Sequence, residues 1–472
     1  MERLNWQEWD KAAFLQAKKE KKPILLGISA VWCHWCHTMD RLTYGNKEIA
    51  AFINEQFVPV RVDTDKRPDI NERYNVGGWP TTAILSHDGE IVSAATYVPP
   101  EHMIKFLQDA IERFKRYKPV KRKKIPELKP IEFDAEQFYS MVKSFYDPVN
   151  GGFGLEPKFP HPEILEYLIW RVMKYKDVEA RKMLDVTFKK MLDGEIFDHV
   201  GGGFFRYATE QNWTIPHFEK MLEDNARTLS CYFYACRFFD RKEYLAAVNK
   251  TIFWLMTMMY DRDKGVFYAS QDADEQYCKL PLTERMRHEQ PFIDKTIYTY
   301  ANVAMAMALF EAGTIEKDYN DVALRLLESL YKINFRGGVA HSYPSEKPLF
   351  LFKDNMCLLA ALVRAFKVTN RLEWKTKALI VAKALERFYD KKNGGFFDIL
   401  ASNDAVGKLK ERRKNVEDNA FAALVLKMLA EISKEPTYAK MARKSLQAVS
   451  VQALVLGPYA ATYAIAVGEL GK

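Results

Sequence analysis

Two cysteines two residues apart stand in the stretch Trp32-Cys33-His34-Trp35-Cys36. A dithiol of this spacing can close into a disulfide and reopen by thiolate attack. The pair follows the apolar run Pro23 to Ser29, which reads as a buried strand, and it opens a segment of helical character. A helix N-terminus favours the thiolate of the first cysteine, which is the attacking form. His34 lies inside the motif; when protonated it adds to that effect and pushes the couple towards oxidising. Downstream, Gly77-Gly78-Trp79-Pro80-Thr81-Thr82 leads into another apolar strand. In a redox domain of this kind a proline, usually cis, sits against the dithiol and shapes the substrate groove, so Pro80 joins the candidate site. Zinc binding by Cys33, Cys36 and His37 is the competing reading, although no second ligand pair follows. A fold of the same kind without redox activity is another. Trp32, Trp35 and Trp79 read as walls around the sulfurs, with core packing as the alternative.

A second group of residues suits proton transfer. His199, Arg206, His217, Glu219, Asp224, Asp272 and Asp274 fall in long loops or at helix starts in the C-terminal two thirds, as do His161, His288, His341, Asp198 and Asp354. A cup of His, Asp, Glu, Arg and aromatics suits sugar hydroxyls and acid–base chemistry. For each residue taken singly, a structural role stays equally open.

The elements that must hold these groups follow from periodicity. Residues 1–117 alternate between helix and strand patterns: helix 6–19, strand 24–29, the dithiol helix, strand 57–63, a short helix, strands 81–86 and 90–94, and a closing helix from 100 to 117. This is a thioredoxin-like order with a helix first. The best-known thioredoxins carry a buried acid six residues before the first cysteine; Gly27 stands there. Proton handling then falls to water, His34 or His37. Residues 118–133 form a basic linker interrupted by Pro119, Pro126 and Pro130, expected to be an extended tether. Residues 134–472 contain twelve helical segments, among them 216–238, joined by alternating short and long links. That pattern fits six hairpins in a ring, an (α/α)6 toroid. The expected fold class is thus multidomain, α/β plus all-α.

Two elements repeat inside the helical region. Gly-Gly-Phe or a variant recurs at 151–153, 202–204, 265–267, 337–339 and 394–396, and Asp-Asn recurs at Asp224-Asn225, Asp354-Asn355 and Asp418-Asn419. The phenylalanines are expected to anchor the long loops over the ring. Helix capping is the favoured reading of Asp354 and Asp418; Asp224 lies deeper in its expected helix.

Composition bounds the rest. A chain of 472 residues with 48% hydrophobic and 28% charged residues describes a soluble globular protein of two or three domains. The six cysteines are too few for a disulfide scaffold, and Cys231, Cys236, Cys278 and Cys357 read as buried thiols that do not exchange with Cys33. No signal peptide is visible, so the cytoplasm is the expected location. The net charge of +8 is modest and no nucleic-acid-binding motif accompanies it, so neither nucleic acid nor membrane is an expected partner. The uncharged stretch from Ser445 to Gly468 is broken by Gly457-Pro458 into pieces too short to span a bilayer and reads as the buried end of the last domain.

These residues resemble the spermatogenesis-associated protein 20 family, in which a thioredoxin-like domain precedes a six-hairpin, glycosidase-like toroid. The matching stretches are Cys33 to Met39, Val62 to Asp69, Gly77 to Pro80 and Gly201 to Asn225, the last being the most specific. The resemblance implies that His217, Phe218, Glu219, Lys220, Met221, Asp224 and Asn225 line the toroid's pocket, and Asp272-Ala273-Asp274 matches a further family element. Glu275 to Ile293 is shorter than in many members, and Tyr300-Ala301-Asn302 stands where many have Trp-Asn. The expected function is thiol–disulfide exchange on a disulfide-bearing protein or small thiol, without a cofactor or metal. The alternatives are a sugar epimerase, isomerase or glycosidase with a regulatory or docking first domain, binding a sugar in the toroid, and a non-catalytic scaffold.

Overall fold

The computed structural model describes residues 3–119 and 130–471. Most of the expected basic tether, residues 120–129, lies outside the described residues. The chain forms two compact units, one of Met1–Glu127 with Ile399–Arg412, the other of Leu128–Asp398 with Arg413–Lys472.

In the first unit the elements run α1 (Lys11–Glu20), β1 (Ile24–Ser29), α2 (His34–Met39), α3 (Lys47–Gln56), β2 (Val58–Asp63), α4 (Pro68–Tyr74), β3 (Thr81–Leu85), β4 (Ile91–Ala95) and α5 (Pro100–Arg116). The sheet order is β2-β1-β3-β4, with β1 parallel to β2 and antiparallel to β3. Because β1 and β3 are buried on both faces, they read as continuous apolar runs. Leu25, Ile84, Met39, Ile53, Phe57 and Leu107 close the core on the side of α3 and α5. The first helix starts later than its apolar pattern suggests. Residues before it are drawn to the sheet edge, where Gln7 exchanges backbone hydrogen bonds with Pro59 and Arg61, and Asp10 then caps α1 through the Ala13 N–H. Residues 399–412 belong to this unit. Tyr74 Oη accepts the Lys408 N–H and donates to the Gly89 carbonyl, both at 2.8 Å. Gly407 has φ +56 and no room for a Cβ between Tyr74 and Trp9.

The second unit contains α6 (Ala135–Phe145), α7 (Pro162–Tyr175), α8 (Val178–Asp193), α9 (Leu222–Phe238), α10 (Lys242–Trp254), the short α11 (Glu275–Lys279) and α12 (Leu282–Arg285), α13 (Thr299–Ala312), α14 (Asp318–Asn334), α15 (Phe352–Thr369), α16 (Leu372–Leu385), α17 (Val416–Ser433), α18 (Pro436–Leu456) and α19 (Ala461–Leu470). Helices α7, α9, α13, α15, α17 and α19 pack in a closed ring, and α6, α8, α10, α14, α16 and α18 pack outside it. This is the (α/α)6 toroid. The inner α13 is apolar on nearly every side, as a helix enclosed by neighbours must be. The uncharged stretch before the C-terminus falls in Pro436–Leu470, which is long and apolar enough to cross a membrane by length and composition alone; the fold uses it as the outer α18 and inner α19, parted at Gly457 with φ +57.

The two sequence repeats meet in space. Asn225 accepts the Phe204 N–H at 2.6 Å and donates to the Phe204 carbonyl at 2.9 Å. Asn302 does the same for Phe267, Asn355 for Val339 and Asn419 for Phe396. Each asparagine thus clamps the last residue of a Gly-Gly-Phe loop onto an inner helix. The phenylalanines are buried: Phe204 stacks on Tyr232 and Phe396 on Phe352.

Candidate functional site

The dithiol sits where β1 releases the chain into α2. Cys33 is the N-cap of α2, in extended backbone, and its sulfur accepts the Cys36 N–H at 3.2 Å. Both cysteines are free thiols; Cys33 is 6% exposed and Cys36 2%. The hydrogen bond to Cys33, followed by burial, pushes the Cys36 thiol far above its ordinary range. Cys36 therefore keeps its proton and shares it with the Cys33 sulfur. The pairing of Ile28 with Thr81 brings Pro80, just before β3, alongside the end of β1 from which the dithiol loop departs. The Trp79–Pro80 peptide is cis, as expected. His34 and His37 are exposed, and the His34 ring stands edge-on to Trp35 at 5.9 Å.

The tryptophans build the walls. Trp32 and Trp79 meet edge to face at 5.6 Å. The Trp32 indole N–H donates to Asp65 at 2.7 Å and that of Trp79 to Asn71 at 3.1 Å. Asp63 shapes the turn that presents Asp65 by accepting the Asp65 and Lys66 N–H groups. Trp35 is 48% exposed and leans on Tyr97. Sequence reasoning missed Arg61 and Asp40. Arg61 pairs in register with Gly27 and forks onto Asp40 at 2.7 and 2.6 Å. The available signal was an arginine inside the apolar run Val58 to Val62, opposite a glycine in the partner strand.

In the toroid the structure gathers some of the expected residues and separates others. The strand pairing of Tyr207–Ala208 with Pro216–His217, and of Lys220–Met221 with Ser270–Gln271, keeps residues 216–221 extended. The expected helix from 216 therefore begins at Leu222, which places Asp224 in its first turn. His217 lies 4.0 Å from the Glu219 carboxylate and stacks on Tyr207. Glu219 is buried. Burial raises its carboxyl to about 7; Arg206 opposes the rise, while Asp272 and Asp224 add to it. Burial raises Asp224 to about 6, again against Arg206 and with help from Glu223 and Glu163. Arg206, His217, Glu219, Asp224 and Asp272 thus form one electrostatically coupled group. Nearby, Glu223 pairs with Lys353 at 3.1 Å, and Lys353 lies over the Tyr300 ring.

Other expected pocket residues serve the scaffold. Asn225 is the loop clamp and is fully buried. Asp274 caps α11 through the Tyr277 N–H at 2.8 Å. His199 is exposed and bonds the Gly194 carbonyl, on the side of the outer α10, whose Lys250 holds the His199 carbonyl. Lys220 is buried against Asp198 at 2.7 Å, and Arg285 reaches the same carboxylate at 2.8 Å. The same hook recurs as Asp147 with Lys158 and Asp390 with Lys414. An aspartate four residues before the first glycine of these three repeats was its sequence signal. Asp354 and Asp418 do not cap their helices: Asp354 pairs with buried His341 at 2.8 Å, and Asn415 caps α17. Cys231 and Cys278 are buried as expected, whereas Cys236 and Cys357 are half-buried. Among the described residues no group of three or more His, Cys, Asp or Glu side chains is placed to hold a metal ion.

These features define a two-unit protein, a thioredoxin-like unit joined to an (α/α)6 toroid. The Thioredox DsbH family model (protein of unknown function, DUF255) matches residues 1–129, and the N-acylglucosamine 2-epimerase family model matches residues 202–400. The chain is related to spermatogenesis-associated protein 20: it is 33% identical to the rat protein over 309 residues, 57% of this chain and 39% of the relative. An uncharacterized protein of Caenorhabditis elegans, B0495.5, is 33% identical over 303 residues, 57% of this chain and 41% of the relative. The chain thus spans about two fifths of the length of the curated relatives it matches. The cellobiose 2-epimerase of Spirochaeta thermophila shares the toroid fold, with a TM-score of 0.56 at 15% identity over 67% of this chain and 84% of that one.

Proposed function

We propose that the first unit carries out thiol–disulfide exchange. The observation that carries this reading is the Cys33 sulfur, which receives the Cys36 N–H at a helix N-terminus while the Cys36 thiol keeps its proton. Cys33 as thiolate attacks one sulfur of a substrate disulfide. The substrate S–S bond breaks, and the departing thiolate takes a proton from water. Cys36 then attacks Cys33 in the mixed disulfide and releases the second substrate thiol. The substrate gains two electrons and the Cys33–Cys36 pair loses them; an external thiol reductant restores the dithiol. The exposed Trp35 and the Trp32–Trp79 wall suit an extended peptide or a small disulfide. A cytoplasmic location, with neither nucleic acid nor membrane as partner, belongs to the same proposal. The test is Cys36→Ser with a disulfide substrate: a stable mixed disulfide at Cys33 supports exchange, and recovery of unmodified protein under conditions that reduce the substrate rules it out.

A second reading concerns the toroid. A buried and a half-buried carboxyl, raised to about 7 and about 6 beside Arg206 and His217, suit proton transfer at a sugar carbon or a glycosidic oxygen. The match to the N-acylglucosamine 2-epimerase model supports that class. Incubating the protein with a panel of reducing sugars in deuterated water reads it out. Deuterium entering carbon 2, lost in Glu219→Gln, supports an epimerase or isomerase; release of a reducing end supports a glycosidase.

A further inference from the structure

The exchange reading leaves one step without an agent. Cys36 is buried, and it must lose a proton before it can attack the mixed disulfide. The exposed His34 and His37 lie on the outside of α2. On the inner side stands a charged pair. Arg61 projects from β2 opposite Gly27, where an added Cβ would lie 3.6 Å from Arg61 Cδ and 3.2 Å from the Trp6 ring. A side chain at Gly27 would thus press on the Trp6 ring and stand at ordinary contact distance from Arg61. Its guanidinium donates to Ser29 at 2.9 Å and forks onto both oxygens of Asp40. Asp40 follows α2 directly, and its own N–H bonds the Cys36 carbonyl, so the carboxylate hangs one turn below the resolving cysteine. Trp6 and Tyr44 flank the guanidinium at 5.3 and 5.9 Å. A cavity of about 460 Å³ lined by Arg3, Trp6, Asp40, Tyr44 and Arg61 opens behind the pair.

Resting on the exchange reading, we propose that Arg61, clamped by Asp40 one turn below Cys36, is a positioning residue for the resolving step: it stabilises the Cys36 thiolate as the proton leaves to water. The groups packed on Arg61 are Ser29 of β1, Asp40 and Tyr44 just after α2, and Trp6 of the N-terminal segment, and Arg3 and Lys47 line the same cavity. The Cys33 hydrogen bond and burial hold the Cys36 thiol up, and the Arg61 charge acts in the opposite direction. In the step itself the S–H bond of Cys36 breaks and its proton passes to water. The new Cys36–Cys33 bond forms as the bond from Cys33 to the substrate sulfur breaks, and the substrate leaves as a thiolate.

The experiment uses the full chain and the aromatic disulfide of 5-thio-2-nitrobenzoate in stopped flow. The first equivalent of coloured thiolate reports attack by Cys33, and the second reports resolution by Cys36; a Cys33→Ser, Cys36→Ser double variant supplies the background. In Arg61→Met the second phase is expected to slow by about tenfold relative to the first, and its pH dependence to move to higher pH by about one unit. Arg61→Lys should restore it to within about threefold, which a packing role would not do. Asp40→Asn, which loosens the clamp, should also slow the second phase. Equal second phases in Arg61→Met and wild type across pH overturn the proposal. If Arg61→Met does not fold, Asp40→Asn and Arg61→Lys carry the test, and a second phase in Asp40→Asn equal to wild type overturns it. Absence of the first phase in the wild type instead overturns the exchange reading on which this one rests.

Discussion

The backbone N–H of Cys36 donates to the sulfur of Cys33 across 3.2 Å, so the two cysteines of one helical turn hold opposite roles before any substrate arrives. One sulfur collects hydrogen-bond donors and the other keeps its proton. The asymmetry comes from the helix start and needs no third residue.

Oxidation should therefore produce a single bridge. After treatment with an excess of oxidised glutathione, peptide mapping by mass spectrometry is expected to recover Cys33–Cys36 and no link from either to Cys231, Cys236, Cys278 or Cys357. A bridge to any of those four would mean that the dithiol acts on its own chain.

The toroid's stability should fall as pH rises across neutrality. Glu219 and Asp224 are raised in the folded state to about 7 and about 6. Their contribution is fully present below the unfolded carboxyl range and is lost as pH climbs through those folded values. In Glu219→Gln the toroid's thermal transition is expected to lose much of its decline between about pH 4.5 and about pH 7 and to lie above wild type at pH 8. The comparison is a melting profile recorded against pH; a wild-type transition flat through that range contradicts it.

The acid limb has the opposite sign. Burial raises Asp198, but Lys220, Arg285 and the Gly201 N–H outweigh it and hold the carboxyl at about 2. Its contribution exists above the unfolded carboxyl range and disappears as pH falls towards 2. Asp198→Asn leaves two buried cations without their carboxylate and is expected to cost about 3–5 kcal/mol in chemical denaturation at pH 7. A loss under about 1 kcal/mol would show that the hook carries little.

Clamp and cap can be told apart by magnitude. Asn225→Ala strips both backbone partners from the buried Phe204 and should destabilise the toroid by about 2–4 kcal/mol. Asp274→Ala removes one cap from a short surface helix and should cost about 1 kcal/mol. Urea titrations of both variants check the order, and a reversed order would return Asn225 to the pocket and Asp274 to the core.

Much of this protein is written locally. The dithiol at a strand–helix junction, Pro80 before β3, the twelve toroid helices and both loop repeats are legible in the sequence because spacing and periodicity act over one or two turns. Contacts distant in sequence are not legible in that way. Arg61 meets Asp40 only because the parallel register sets it opposite Gly27. The strand pairing of 216–221 overrides their helical pattern and moves the helix start to Leu222. Asn225, expected in the pocket, instead clamps the loop that packing lays beside its helix. Asp354 found His341, and Asp274 found the start of α11, for the same reason: a short polar side chain answers to whichever buried donor the packing brings within 3 Å, and one-dimensional order does not name that donor. Residue type and spacing determined which chemistry the chain can carry, while burial and long-range pairing decided which of those residues are free to perform it.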